Sequence, residues 1–448
     1  MTRLWFERAL LPTGWANDVR LCIEAGIITV VESGIAASAG DSRHATAIPG
    51  LPNLHSHAFQ RAMAGQAEAP GASGQDDFWR WRDRMYQLVG AISPDDSAAI
   101  AAMAFVEMLE AGFTRVGEFH YLHHSPDGTP YDNRSEMAVA LASAARDSGI
   151  ALTLLPVFYA HSGFGGQAPR PEQRRFINDL DGYGALLEGS RRAVRDIAGA
   201  VVGIAPHSLR AVTADQLQGL LASSPTGPVH IHIAEQISEV ESCLAWSGQR
   251  PVRWLVDHAP VDGRWCLVHA THIDDDELQA IVRAQSVVGL CPITEANLGD
   301  GLFPADLFHQ AGGRWGIGSD SNIRIDAAEE IRLLEYGQRL TLRRRNILAR
   351  AGHSTGRSLF EASFAGGNAA LGSPTSGLAA GEAADLVALA SGGSGGMGGG
   401  DQSVDEWIFA AGRIATVWRA GRLVVADGRH VARDAIAARF RKTVQRLQ

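Results

Sequence analysis

The chain has 448 residues, of which 46% are hydrophobic and 20% charged. That composition excludes a fibre or a wholly disordered protein and leaves ample length to bury a core. At roughly 150 residues per domain it suggests three domains, or one large barrel with an appendage. A formal charge of −9, from 40 basic and 49 acidic residues, argues against a polyanion-binding surface, so nucleic acid is not an expected partner.

Four cysteines, Cys22, Cys243, Cys266 and Cys291, stand far apart with no C-x-x-C pair. Neither a disulfide framework nor a thiolate zinc site is indicated, and a reducing compartment fits. No apolar run reaches the ~18 residues of a membrane helix, and residues 1–20 lack a basic start and apolar middle, with Glu7 interrupting them. A membrane partner is therefore not expected and a cytoplasmic location is. All but one of the basic residues are arginine, the exception being Lys442. Schiff-base chemistry, a P-loop lysine and a carboxylated lysine bridging two metals are excluded elsewhere in the chain.

Residues 1–48 read as short alternating segments, Val19 to Ile23 and Ile27 to Glu32 among them, punctuated by Gly26, Gly34 and Gly40: a small β unit. From 49 to 371 the pattern changes to β-rich runs separated by helical stretches, the signature of βα units on a parallel sheet. Eight runs are counted: Ile48 to Leu54, Phe113 to Glu118, Ile150 to Tyr159, Val201 to His207, Pro228 to Ile233, Trp265 to His269, Val287 to Cys291 and Trp315 to Ser319. Eight is the number that closes a (β/α)8 barrel of the TIM type. Between the first two, Ser93-Pro94-Asp95-Asp96 supplies an N-cap, an N1 proline and first-turn acids, and Gly112 follows the last apolar position. Residues 60–90, with Phe78-Trp79-Arg80-Trp81-Arg82, exceed an ordinary βα loop and are expected to fold over the barrel mouth.

Beyond Leu371, residues 372–448 return to β pattern in Ala384 to Leu389 and Thr416 to Val425, the latter a strand, a Gly421 turn and a strand, before a terminal helix. The expected fold is thus α/β, a barrel flanked by a small β-sandwich domain built from both chain ends. Ser391 to Gly400 is a Gly/Ser tract that reads as a flexible surface loop. Arg343-Arg344-Arg345 falls in a helical segment, as a solvated face.

Chemistry-bearing residues cluster at the ends of these runs. His55-Ser56-His57 ends the first; positions i and i+2 of a strand share a face, so both imidazoles can grip one ion, or else serve as polar packing. The fifth run, Val229-His230-Ile231-His232-Ile233-Ala234-Glu235, carries His232 at its carboxyl end, where barrel active sites lie. His230 sits one layer deeper and reads as a hydrogen-bonded interior histidine. Glu235, just past the strand, is either an acid/base over the metal or a cap for the next helix. His269 ends the sixth run, and Asp320 follows the eighth in Gly318-Ser319-Asp320-Ser321. Three histidines and one carboxylate with an open position suit Zn²⁺ or Fe²⁺ in a hydrolytic role. A second metal would want a bridging carboxylate, commonly a modified lysine, and that lysine is absent.

Taken in order, Pro49 to His57, His232-x-x-Glu235, His269 and Gly318 to Ser321 resemble the amidohydrolase superfamily, in its mononuclear deaminase branch. The split β unit and Gly381 to Val387 look like that superfamily's flanking domain. More closely, the blocks His55 to Arg61, Glu118 to Tyr121, Pro206 to Val212, His230 to Gln236 and Thr294 to Gly301 are similar to the formimidoylglutamate deiminase family over nearly the whole chain. The resemblance implies one divalent metal on His55, His57, His232 and Asp320, with Glu235 and His269 as acid/base residues. Placement at the strand ends leads to the expectation that His269 and Asp320 orient and deprotonate a water while Glu235 passes a proton to departing ammonia. The resemblance also implies substrate contacts at Gln60, Arg82, Tyr121, His207 and Arg210, and a homodimer. The substrate would be a small dicarboxylate, N-formimino-L-glutamate, converted to N-formyl-L-glutamate. Guanidinium forks at Arg82 and Arg210 suit bidentate carboxylate recognition, although each alone also reads as a surface arginine. The chain departs from that family in the Gly/Ser tract and at Cys291-Pro292-Ile293, neither expected to touch a ligand. Two rivals remain: a deaminase of an aromatic base or aminotriazine, for which Trp79 and Trp81 offer stacking, and a non-catalytic barrel scaffold.

Overall fold

The computed structural model describes residues 1–66, 68, 85–390 and 400–447. Arg82, the aromatic pair Trp79 and Trp81, and the Gly/Ser tract up to residue 399 lie outside the described residues.

The two chain ends build one flanking sheet. Strands β1 (Thr2–Leu11), β2 (Gly14–Glu24) and β3 (Ile27–Glu32) run antiparallel, and β4 (Ser42–Pro49) lies parallel to β1. On the other side β4 takes β14 (Leu386–Leu389), pairing Ile48 with Val387, and the path continues through β15 (Ile414–Arg419), β16 (Arg422–Ala426) and β17 (Arg429–His430). The alternation read from Val19 to Ile23 buries Val19, Leu21 and Ile23 against Leu4, Phe6, Leu386 and Trp418 in a core of their own.

Every expected barrel run contains a parallel stave: β5 (Leu51–Ser56), β6 (Phe113–His120), β7 (Ala151–Phe158), the short pair β8 (Val201–Val202) and β9 (Ala205–Pro206), β10 (Val229–Ile233), β11 (Trp265–His269), β12 (Val287–Leu290) and β13 (Arg314–Ile317). Bridges Ile204 to Val229 and Ser208 to His232 join the two halves on one side, and Ser56 to Asp320 joins them on the other. The fold is a (β/α)8 barrel.

Two runs differ from their sequence reading. Ile48 and Pro49 belong to the flanking sheet, and the barrel begins at Leu51. Gly50 makes the crossing, because a side chain there would run into Thr114 while its N–H donates to the Asp385 carbonyl at 3.0 Å. The fourth run is broken at Gly203, whose Cα lies so close to Pro228 that only hydrogen fits.

The helix Pro94–Glu110 starts as its sequence predicts. The Ser93 side chain accepts from the Asp96 N–H, the Asp96 carboxylate answers the Ser93 N–H, and Pro94 takes N1. The arginine run is exposed as expected but lies past the helix Ala327–Leu342, which ends because Arg343 turns left-handed at φ 53°. The terminal helix Arg433–Leu447 packs on Pro94–Glu110 through Arg433–Glu110 and Arg446–Asp96 ion pairs.

The barrel wall that carries the site depends on close backbone packing from the helix Thr355–Ala370. A Cβ on Gly366 would overlap the Trp315 carbonyl of β13, and one on Gly316 would approach the Gly367 nitrogen to 2.7 Å. Gly366→Ala is therefore expected to lower the urea midpoint by ~1–3 kcal/mol of stability. Gly184→Ala, in the helix Leu180–Val194 with open space around its Cα, should raise it by ~0.5–1 kcal/mol. An unchanged midpoint for Gly366→Ala would refute the packing argument.

Candidate metal centre and active site

The strand pleat turns His55 and His57 into the barrel mouth, and the barrel seam brings Asp320 to them. Asp320 N–H donates to the His55 carbonyl at 3.0 Å and His57 N–H to the Asp320 carbonyl at 2.9 Å. Buried side chains reinforce the seam. Asn53 donates to Ser319 Oγ at 2.6 Å, Ser319 Oγ donates to Asn322 Oδ1 at 2.6 Å, and Asn322 Nδ2 donates to Ser56 Oγ at 3.1 Å. From across the barrel His232 completes the group at the tip of β10.

The four side chains share one point. His55 Nε2 lies 3.2 Å from His57 Nε2 and 3.0 Å from His232 Nε2, while Asp320 Oδ1 is 3.4 and 3.3 Å from the Nε2 atoms of His55 and His57. His57 donates its Nδ1–H to the Phe119 carbonyl at 2.9 Å and His232 to the His207 carbonyl at 3.0 Å, which leaves both Nε2 lone pairs facing inward. Burial lowers the pKa of all three rings, so they stay neutral. One hydrogen on His55 Nε2 satisfies one facing lone pair and leaves the other exposed to its neighbour, whereas a shared cation satisfies all of them. Donors ~2.0–2.1 Å from a tetrahedral ion stand about 3.3 Å apart. The residues present fit a divalent metal, and they are the four that the sequence nominated.

A second set stands beside this one. His269, left-handed at φ 68° at the end of β11, places Nε2 3.8 Å from Glu235 Oε1 and 3.9 Å from Asp320 Oδ2. Its Nδ1 donates to Glu295 Oε1 at 3.2 Å, and the same oxygen accepts from Cys291 N–H at 2.9 Å. Burial opposes charge on His269, but the carboxylates of Glu235, Glu295 and Asp320 outweigh it and push the pKa up to about 10. Burial raises Glu235, with Asp320 and Glu239 adding to it against His269 and Arg210. The capping alternative for Glu235 fails, since the helix Ile237–Ser247 has Gln236 at its N-cap and no side-chain cap bond. His230 is the interior histidine expected, its Nε2 on the Ala370 carbonyl at 2.8 Å and its pKa lowered to about 4 by burial.

A pocket opens over both sets, and Gln60, Tyr121, His207 and Arg210 all line it. Gln60 Nε2 donates to Tyr121 OH at 3.0 Å. Arg210 Nε and Gln60 Oε1 are buried with no hydrogen-bond partner among the described residues, two polar atoms set for a polar ligand. Burial opposes the Arg210 charge, yet Glu239 and Glu235 raise its pKa. Tyr86, Tyr159 and Phe176 form the aromatic wall.

Sequence reasoning assigned no role to several of these groups. Glu295 lies in the quoted block Thr294 to Gly301, but nothing in the chain signals its bond to His269, 26 residues away. Glu118 is pushed up to about 8 by burial while its Oε1 accepts the Ala58 N–H at 2.7 Å. Asp300 is pushed up to about 9 by burial and the neighbouring Glu235. Cys291 was given no place in the site, yet its Sγ lies within 4.8 Å of donor atoms of His269 and the proposed ligand Asp320, because β11, β12 and β13 are adjacent staves whose tips converge.

Residues 46–424 match the amidohydrolase family, and residues 1–45 match the N-terminal domain of formimidoylglutamate deiminase HutF. A formimidoylglutamate deiminase of Pseudomonas aeruginosa is 48% identical over 447 residues, 98% of each chain. A 5-methylthioadenosine/S-adenosylhomocysteine deaminase of Haloarcula marismortui is 26% identical over 328 residues, covering 70% of this chain and 68% of that one. Among solved structures, an amidohydrolase from Brucella melitensis superposes with a TM-score of 0.97 at 51% identity, both chains covered in full. An adenosine deaminase from Xanthomonas campestris with bound zinc gives 0.81 at 22% identity over 100% of this chain and 98% of that one, a likeness of fold. The family match runs from the last strand before the barrel through all four nominated ligands, and the chain belongs to the amidohydrolase family.

Proposed function

We propose that the protein hydrolyses N-formimino-L-glutamate to N-formyl-L-glutamate and ammonia, a step of histidine degradation. The observation that carries this reading is 48% identity over 98% of both chains to a formimidoylglutamate deiminase, and the HutF N-terminal match supports it.

His55, His57, His232 and Asp320 would hold one divalent ion. When bound, the ion supplies hydroxide near neutral pH by acidifying water. Around it the chain's own groups divide the proton work. Asp320 Oδ2 takes the proton of the attacking water as its oxygen adds to the formimino carbon, and His269, held as a cation between Glu235, Glu295 and Asp320, orients that water. Glu235, whose raised pKa favours keeping a proton, delivers it to the departing nitrogen as the C–N bond breaks and ammonia leaves. Arg210 and Arg82 take the substrate carboxylates, with Gln60, Tyr121 and His207 fixing the chain between; the unpaired Arg210 Nε supports that role.

The reading carries Zn²⁺, or Fe²⁺, as the ion, supported by three nitrogen donors and one oxygen donor. It carries a homodimer by family membership, and the cytoplasm, supported by four unpaired cysteines and by the absence, among the described residues, of any helix long and apolar enough to cross a membrane. It keeps the three parts of the sequence reading, 1–48, 49–371 and 372–448, with the first boundary moved so that the barrel starts at Leu51, supported by the pairing of Pro49 in the flanking sheet and by that sheet's separate core.

Ammonia release from formiminoglutamate, guanine and cytosine at equal concentrations of metal-replete enzyme tests the substrate. Only the first should turn over, and preferred release from a ring would install the aromatic-base reading. Chelation should abolish activity and added Zn²⁺ or Fe²⁺ restore it. Glu235→Gln should reduce kcat by ~10²–10⁴-fold with metal content unchanged; full kcat would remove the proton-delivery role. Arg210→Met loses charged hydrogen bonds worth ~1.5–3 kcal/mol, so kcat/KM should fall ~10–150-fold, and an unchanged value would refute the carboxylate clamp.

A further inference from the structure

We propose that a second, inhibitory site for a soft divalent cation such as Zn²⁺ or Cd²⁺ lies at the edge of the pocket, formed by His269 and Asp320, which line it, and by Cys291 buried behind them. It rests on the proposed function in two ways, sharing Asp320 with the four-ligand site and taking His269 and Asp320 as catalytic groups.

A ring nitrogen of His269, Sγ of Cys291 and a carboxylate oxygen of Asp320 lie within 4.8 Å of one another, and all three residues are buried. They arrive from the tips of β11, β12 and β13. The Asp320 carboxylate faces both ways: Oδ1 looks to His55 and His57 at 3.4 and 3.3 Å, and Oδ2 looks to His269 Nε2 at 3.9 Å. One side chain can thus bridge two ions, the part that a modified lysine would otherwise take. Cys291 is the N-cap of the short helix Pro292–Leu298, but its side chain makes no cap hydrogen bond among the described residues.

Thiolate, imidazole and carboxylate together select Zn²⁺ or Cd²⁺ over Mg²⁺ or Ca²⁺. Bond lengths of ~2.3 Å to sulfur and ~2.0 Å to nitrogen require the donors to close to about 3.5 Å, a movement within reach of side-chain rotation. As the metal–sulfur and metal–nitrogen bonds form, the Cys291 thiol proton and the His269 Nε2 proton leave to solvent, while the Nδ1–H stays on Glu295. No electron transfer is involved. Once filled, the site withdraws His269 and Asp320 Oδ2 from catalysis.

The test titrates Zn²⁺ and Cd²⁺ into holoenzyme already carrying one equivalent. A second equivalent by equilibrium dialysis, an ultraviolet sulfur-to-cadmium charge-transfer band and a parallel loss of activity are expected. Cys291→Ala and Cys291→Ser should keep basal kcat, lose the band and the second equivalent, and need at least ~10-fold more ion for inhibition, about the weight of one thiolate ligand. Uptake of a single equivalent, absence of the band in the wild type, or inhibition of the variants at wild-type concentrations would each overturn the proposal while leaving the four-ligand reading in place. Should both variants fail to fold, the wild-type band decides alone. Failure to bind even the first equivalent would instead bring down the four-ligand reading.

Discussion

Three imidazole nitrogens and a carboxylate oxygen crowd one buried point, and the rest of the molecule is arranged so that they cannot turn away. Each ring is neutral because burial makes a charged one costly. His57 and His232 cannot trade their inward nitrogens for outward ones, since Nδ1 of each is tied to a backbone carbonyl. His55 has no such tie, and its Nδ1 is unpaired; its ring is held by packing, with Phe119 5.0 Å away and His57 and His232 edge-on at 4.7 and 4.8 Å. Lone pairs held face to face repel, so the geometry is at rest only around a cation. The seam of β5 and β13 bears that load through Asn53, Ser319, Asn322 and Ser56, none of which reaches the pocket.

The same logic of buried charge runs through the second set. Glu235, Glu295 and Asp320 surround one histidine, and three carboxylates in a dry pocket would repel without it. His269 meets that repulsion by carrying a proton, and Glu295 fixes which nitrogen points toward Glu235 and Asp320. The arrangement divides labour by position. Glu295 is spent on orienting the ring and is also pinned by Cys291 N–H, so it cannot swing toward the pocket. Glu235 stands on the open side, where its proton can be exchanged.

What the chain discloses in advance follows from where periodicity and strand ends carry information. The pair His55 and His57 is legible because a strand repeats every two residues, and Asp320 because a polar residue directly after an apolar run has only the barrel mouth to face. The barrel itself is legible because its staves are separated by helical stretches. Hydropathy fails where one apolar run serves two sheets: Ile48 to Leu54 reads as continuous, and only the steric demand of Thr114 on Gly50 divides it. It fails again for Glu295 and Cys291, whose neighbours are set by the adjacency of three staves and not by any spacing along the chain. Exposed charge at Arg343 to Arg345 was legible, but the end of their helix depends on a single left-handed residue that composition does not announce.

The backbone at the mouth departs from ordinary strand geometry at the residues that matter. Ala234, His269, Ala270, Asp320 and Asn322 all have φ between 43° and 68°, a region that side chains other than glycine enter at a cost of roughly 1–3 kcal/mol each. Glycine would remove the strain at His269 and Asp320 but also the imidazole and the carboxylate, and neighbours hold these residues in place. Asn322 Nδ2 donates to the Asp320 carbonyl at 3.0 Å, and Ala270 N–H closes on the Ile233 carbonyl at 3.0 Å. The left-handed turn has a use, because a side chain continuing in strand register would point across the barrel or into the wall, whereas a reversal at the tip aims it over the mouth. Strain is thereby confined to the strand ends, where the staves no longer need regular pairing. That is the physical reason a barrel can change its chemistry at its rim without disturbing the wall beneath.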